Sequence, residues 1–234
     1  MPDDGGRRPG WETFHIGQLL PWIDENFRIL ADRDDRTIAG ILMGACGALS
    51  DTARHPELFS ATGNFSGDLD IMRSSTMNVV GAFVSLVYGT AITNDQKSVP
   101  GFLARGPESV FGPYLTWPTR NPVTLVNVYR QRGIRIALYA GTGFDQTGFD
   151  FFETLAKAQA DGMHLQLAVS GVVNRYCSGP GAHVWTYWQG DSADFLRWVS
   201  GSPSAACPNN WGRPQQRVAA RPSVSVSCGR SARR

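Results

Sequence analysis

Apolar residues in the first third of the chain change their spacing twice, and each change marks a different element. Ile16, Leu19, Leu20, Ile23, Phe27 and Leu30 recur at helical intervals, with Asp24, Glu25 and Arg28 on the opposite side. This spacing predicts a helix, with Pro21 in its first turn, where a missing N–H costs nothing. Thr37-Ile38-Ala39-Gly40-Ile41-Leu42 is then a short, largely apolar run that suits a strand buried on both faces. It passes through Met43-Gly44 into Ala45–Arg54, a small-residue-rich predicted helix that His55-Pro56 ends.

Ser60–Ser66, Arg135–Ala140 and His164–Val169 read as three further strands, with a helix over Phe149–Ala160 and a last amphipathic helix over Asp191–Val199. Strands alternating with helices predict an α/β fold, a mostly parallel sheet with flanking helices. Residues 1–10 read as a polar, glycine-rich loop and 11–201 as the domain. From 202 to 234 the chain turns to Ser, Pro, Arg, Ala and Asn, which bury too little apolar surface to offset ordering entropy. That tail is expected to be disordered.

Composition changes this picture only in places. A chain of 234 residues suits one domain with a sizeable core. The net charge of +2 hides an asymmetry: six arginines and no acid follow Gly212, so the body is mildly acidic. Such a body gives no reason to expect a nucleic-acid partner. Cys46, Cys177, Cys207 and Cys228 form neither a CxxC pair nor a zinc pattern, and a disulfide framework is not expected at this size. No metal or cofactor is expected. No signal peptide is visible, so the residues leave localisation open. The uncharged run between Arg73 and Asp95 is long enough to raise a membrane span. Its serines, threonines, asparagine and glycines predict a buried or lid segment instead.

Three stretches carry candidate chemistry. Gly40-Ile41-Leu42-Met43-Gly44 has the frame of a nucleophile elbow, G-x-S-x-G, in which a strand turns sharply into a helix and the central residue projects. Here the centre is leucine. Gly179-Pro180-Gly181-Ala182-His183 places a histidine in a late glycine-rich loop, followed by Trp185, Tyr187 and Trp188, where a general base could reach over the elbow. Gly141-Thr142-Gly143-Phe144-Asp145 follows a predicted strand, where the acid that orients the histidine belongs. Asp145 is the first choice, with Asp150 and Glu153 as rivals.

The order and junctions of these stretches resemble the esterase D and antigen 85 (mycolyltransferase) branch of α/β-hydrolases. Trp11-Glu12-Thr13-Phe14 and Leu19-Leu20-Pro21-Trp22 resemble its W-E-T-F…E-L-P-x-W segment, and Gly40–Leu49 its G-L-S-M-G-G-x-G-A-L. His55–Phe59, Phe65-Ser66-Gly67, Phe111-Gly112-Pro113, Arg120-Asn121-Pro122 and Gly179–Trp188 complete a likeness running from Trp11 to about Val199.

The resemblance implies a triad at Leu42, Asp145 and His183, with the Met43 N–H as one oxyanion donor. Asp70 would line the substrate site, and Trp185 would flank an acyl or sugar pocket. Family members cleave acyl esters or transfer acyl groups and are often secreted. The expected partner is therefore an acyl ester or glycolipid-like small molecule.

Three departures shape the expectation. Leucine has no oxygen with which to attack a carbonyl. The resemblance also implies that the family's N-terminal strands, and the loop giving a second oxyanion donor, are missing, which makes this a partial α/β-hydrolase fold. An exposed sheet edge at Thr37–Leu42 would then favour self-association. The segment after Asp145 is shorter than in the family. The expectation is an esterase or acyltransferase lineage, truncated and catalytically inactive. The alternatives are a non-catalytic acyl-lipid or glycolipid binder, or a product with no function of its own. Cys46, one helical turn past the elbow, reads as a buried small residue rather than a substitute nucleophile.

Overall fold

The computed structural model describes residues 10–73, 113–202, 206–209 and 211. Its centre is a four-stranded parallel sheet of β1 (Thr37–Ile41), β2 (Ala61–Phe65), β3 (Arg135–Gly141) and β6 (Asn174–Gly179), in that order. Between β3 and β6 the chain forms a small hairpin of β4 (Phe144–Asp145) and β5 (Gly148–Phe149). The register of the main sheet runs Ile41 opposite Phe65, Phe65 opposite Tyr139, and Tyr139 opposite Cys177, so the strands' C-terminal ends lie together. In parallel sheets ligand sites form at that end. The mostly parallel sheet with flanking helices is the fold predicted from the sequence.

Period-two alternation along β3 divides the core. Ile136, Leu138 and Ala140 face one layer with Leu49, Tyr129, Met163 and Leu167, while Ala137 and Tyr139 face Phe65, Phe195 and Trp211. The first layer is α3 (Met43–Arg54), α4 (Val126–Arg132) and α5 (Phe151–Val169), and the second is α6 (Trp185–Val199). Tyr139 Oη donates to Asp194 (2.7 Å), and Arg175 also holds that carboxylate (2.5 and 3.0 Å), which locks α6 onto the sheet.

The N-terminal helical run consists of α1 (Trp11–Phe14), a π turn (His15–Leu19) and α2 (Leu20–Asn26). The run begins earlier than the apolar spacing indicates, and Pro21 falls in the first turn of α2. Proline has no N–H for the preceding turn, and the wider π turn falls directly before it. Glu12 anchors the run to the body through Arg54, His55 and Arg120 at 2.7, 2.9 and 2.9 Å. Burial pushes its carboxyl up, but these three donors outweigh burial and hold it well below the usual carboxylate range.

Three sequence expectations need correction. His164–Val169 is not a strand but the end of α5, whose buried Ala156, Ala160, Met163 and Leu167 keep helical spacing to the last turn. The fourth strand of the sheet is Asn174–Gly179. Cys177 and Cys207 form a disulfide, a pair thirty residues apart that no short spacing motif marks. Consequently the chain is not free from 202 onward: Cys207, Asn209 and Trp211 pack on the body, and Trp211 is 1% exposed.

The run between Arg73 and Asp95, where a membrane span was weighed, lies outside the described residues apart from Arg73, as do Phe111 and Gly112. Among the described residues no helix is long and apolar enough to cross a membrane.

Candidate active site

Leu42 occupies the turn between β1 and α3 with φ 53° and ψ −121°. A left-handed φ is unusual for a bulky side chain and costs about 1–3 kcal/mol. Two close approaches impose it. A Cβ on Gly40 would stand 2.1 Å from the Gly44 carbonyl, and one on Gly67 would stand 2.2 Å from Ala45 Cβ. Strand and helix therefore meet backbone to backbone, and the elbow keeps its strained shape with leucine at its centre. Met43 follows as the first residue of α3, where a backbone N–H has no partner within the helix.

Leu42 N–H donates to Phe65 O (3.2 Å), which puts the elbow beside Ser66 at the end of β2. Ser66, itself at φ 52°, opens a closed ring of contacts. Its hydroxyl donates to Glu153 Oε1 (2.7 Å) and accepts from Trp188 Nε1 (3.1 Å). Glu153 Oε2 lies 2.8 Å from His183 Nδ1, and the His183 ring meets Trp188 edge-on at 4.9 Å. The Gly141 N–H also donates to Glu153 Oε1. Glu153 is 1% exposed, yet both its oxygens are engaged. His183 Nε2 is buried and has no hydrogen-bond partner among the described residues. One ring nitrogen faces a carboxylate while the other is unclaimed, which is the arrangement a general base needs.

Asp145, the first-choice acid, is not in this ring. Its Oδ1 accepts from Thr147 N–H and Oγ1 (2.7 and 2.6 Å) and its Oδ2 from Tyr187 Oη (3.1 Å). Hydrogen bonds from Thr147 hold its carboxyl below the ordinary value in the β4–β5 hairpin on the surface. Asp150 does not reach the ring nitrogen either. It caps α5 by accepting from Glu153 N–H (3.1 Å), and its other oxygen accepts from the His183 backbone N–H (2.8 Å). The carboxylate against the imidazole is Glu153. The sequence pointed elsewhere, because Asp150-x-x-Glu153 has capping-box spacing, which turns the glutamate back to the cap. Here the glutamate turns to the histidine instead of back to the cap.

Asp70 is half-buried and accepts from Asn121 Nδ2 (2.9 Å) and Met72 N–H (3.2 Å). Trp185 is 60% exposed, its ring 6.1 Å from Trp188. Among the described residues, neither shares a hydrogen bond, ion pair or ring contact with the His183–Glu153 pair. Cys46 is buried, and burial pushes its thiol well up, away from the thiolate a nucleophile needs. Ser66 and Trp188 are the residues that sequence reasoning did not assign to the site.

A cavity of about 650 Å³ lies against the elbow, lined by Ile16, Leu19 and Ile23 of the N-terminal run, Ile38 and Gly40 of β1, and Met43. Among the described residues no group of three His, Cys, Asp or Glu could hold a metal ion.

The family model described as "Putative esterase" matches residues 2–198. Esterase Rv1288 of Mycobacterium tuberculosis (strain ATCC 25618 / H37Rv) is 34% identical over 181 residues, covering 75% of this chain and 36% of that protein. The chain thus spans about a third of the length of the curated relatives it matches over most of its own. Among solved structures, M. tuberculosis MPT51 aligns with TM-score 0.65 at 18% identity over 82% of this chain and 68% of that one. A ferulic acid esterase aligns with TM-score 0.56 at 21% identity over 83% and 63%. Both share the fold of the four-stranded core described above. With the family model covering most of its length, the chain belongs to the esterase family of α/β-hydrolases.

Proposed function

We propose that this chain keeps the base and carboxylate of an acyl-ester hydrolysing site, His183 and Glu153, but has lost the serine route of catalysis at Leu42. The observation that carries the reading is Leu42 at φ 53° in an otherwise preserved elbow. A leucine there can neither attack a carbonyl nor hydrogen-bond to the imidazole. Met43 N–H would remain as an oxyanion donor, and Trp185 would stand at the rim of an acyl or sugar pocket. Asp70, tied to Asn121, would shape the substrate side rather than take part in proton transfer.

A second reading is favoured by the cavity against the elbow. Its walls are mostly apolar side chains of the N-terminal run, β1 and α3, which suit an acyl chain better than a polar substrate. Under this reading the chain binds an acyl lipid without cleaving it.

The test is hydrolysis of short p-nitrophenyl esters by the purified chain and by His183→Ala. Equal rates are expected. Turnover lost in His183→Ala but kept in Cys46→Ala would overturn the expected absence of hydrolysis. Turnover lost in Cys46→Ala alone would make the thiol the nucleophile. Binding of a fluorescent fatty acyl probe without turnover, abolished by Leu19→Glu, would favour the second reading.

A further inference from the structure

We propose that Trp211, held in place by the Cys177–Cys207 disulfide, is a positioning residue for His183; this rests on the reading of His183 and Glu153 as the working pair. Residues 206–211 are small or polar except for this tryptophan, yet its side chain is among the most buried in the molecule. The indole packs against the run leading into the histidine. A Cβ on Gly179 would stand 2.3 Å from Trp211 Cδ1, and one on Gly181 would stand 3.1 Å from Cζ2. Between the two glycines, the Pro180 carbonyl accepts from Trp211 Nε1 at 2.8 Å. One side chain therefore holds three consecutive residues, the last of them two positions before His183.

The need for such a hold follows from the glycines. Gly179 and Gly181 admit the ring because they have no Cβ, and for the same reason they leave the backbone free to move. A hydrogen bond from His183 Nδ1 to Glu153 survives only if that freedom is removed. The opposite side is held by Gly143 N–H to Gly181 O (2.9 Å), Gly181 N–H to Phe144 O (3.0 Å) and His183 N–H to Asp150 (2.8 Å). Trp211 completes the enclosure and also stacks on Tyr187 of α6 at 6.2 Å and 18°.

Trp211 itself belongs to no helix or strand. Among the described residues the segment is tied down by the Cys207–Cys177 disulfide, two residues before Gly179, and by Asn209 Nδ2, which donates to Asp191 Oδ1 (2.9 Å) and Tyr187 O (3.2 Å). The disulfide restricts how far the segment can leave β6. Its reduction by a dithiol yields two cysteine thiols, while the dithiol becomes its own disulfide. The segment would then be held by side-chain contacts alone.

The experiment uses the full chain labelled with ¹⁵N-histidine, with His183→Gln to assign the ring signals. In the wild type the Nδ1 proton shared with Glu153 gives a downfield resonance slow to exchange with water. In Trp211→Ala its exchange is expected to quicken by about tenfold, as loss of one net hydrogen bond allows. Trp211→Phe, which keeps most of the packing without the bond to Pro180, is expected to lie between. Reduction with dithiothreitol should act in the same direction. If the resonance and its exchange are unchanged in folded Trp211→Ala, the proposal is overturned. Should that variant not fold, unchanged signals in Trp211→Phe overturn it equally. A wild-type chain without the resonance would instead remove the His183–Glu153 pair, and with it the functional reading.

Discussion

Glu153 Oε2 lies 2.8 Å from His183 Nδ1, and the two residues are joined by no shared element: one sits in the first turn of α5, the other in the loop before α6. What brings them together is Asp150, whose two oxygens accept from the backbone N–H of both. The carboxylate is buried, so its charge is sustained by Ser66, Gly141 and the imidazole rather than by water.

Glu153→Gln is therefore expected to quicken exchange of the His183 Nδ1 proton with water and to cost about 1–3 kcal/mol of stability, because a buried hydrogen-bond network loses its charged acceptor. Asp145→Asn should leave both unchanged, since its carboxylate faces Thr147 and Tyr187. NMR of the His183 ring proton with thermal unfolding of the two variants decides between the acids. Faster ring-proton exchange in Asp145→Asn with no change in Glu153→Gln would return Asp145 to the site.

The choice of acid shows where the sequence was legible. The elbow could be read because its constraint is local: glycines at 40 and 44 and a strand-to-helix change in spacing lie within a few residues. His183 could be read because a histidine between glycines and aromatics is unusual. The acid depended on which way a loop folds back, and Asp145, Asp150 and Glu153 all lie within nine residues. The His164–Val169 error has a related cause, since six residues of mixed polarity fit either period and only the buried Ala156, Ala160 and Met163 upstream show that the helix continues. Trp211 and the disulfide were hidden by a composition that predicts disorder, because one buried tryptophan and one cysteine barely change a thirty-residue average.

The elbow's geometry predicts opposite outcomes for two glycines seven residues apart. In Gly40→Ala the new methyl meets the Gly44 carbonyl at 2.1 Å and Ala45 N at 2.5 Å, backbone atoms that cannot move without shifting α3. A loss of about 3 kcal/mol or more is expected, at the upper end of overpacking effects. Gly47 lies on the exposed side of α3, and a methyl there meets nothing within 4 Å. Gly47→Ala should stabilise by about 1 kcal/mol through helix propensity. Chemical denaturation of both variants checks the pair, and a neutral Gly40→Ala would mean that strand and helix are not in backbone contact at the elbow.

Leu42→Ser is expected to create hydrolysis of short p-nitrophenyl esters that depends on both His183 and Glu153. Serine regains an attacking oxygen, and the imidazole has a nitrogen available to take its proton. Each oxyanion donor is worth about 10²–10³ in rate, and Met43 is the one assigned, so turnover is expected to stay below that of a curated relative. The double variants with His183→Ala and Glu153→Gln serve as the check. Activity that survives loss of His183 would mean that the new serine works without the base assigned to it.

Asp191, fully buried on α6, makes stability depend on pH. Burial, reinforced by the charge on Glu153, pushes its carboxyl up to about 8, while the Asn209 hydrogen bond lowers it only in part. Its Oδ2 has no partner among the described residues, which suits a protonated oxygen rather than a charged one. In the unfolded chain the same group titrates near the ordinary aspartate value of about 3.9. Between about pH 4 and pH 8 the unfolded state therefore gives up a proton that the native state keeps, and native stability falls as pH rises through that window. Below pH 4 both states hold the proton and the contribution is fully present. Asp191→Asn mimics the protonated form and still accepts from Asn209. It should match the wild type near pH 4 and become progressively more stable than it towards pH 8. The gap grows by at most about 1.4 kcal/mol for each pH unit climbed, less whatever water penetration or rearrangement relieves in the charged form. Thermal unfolding of both proteins across pH 4–8 measures the difference directly. A constant gap would mean that Asp191 is already ionised in the folded protein, and that a second negative charge stands beside Glu153 in the pair facing His183.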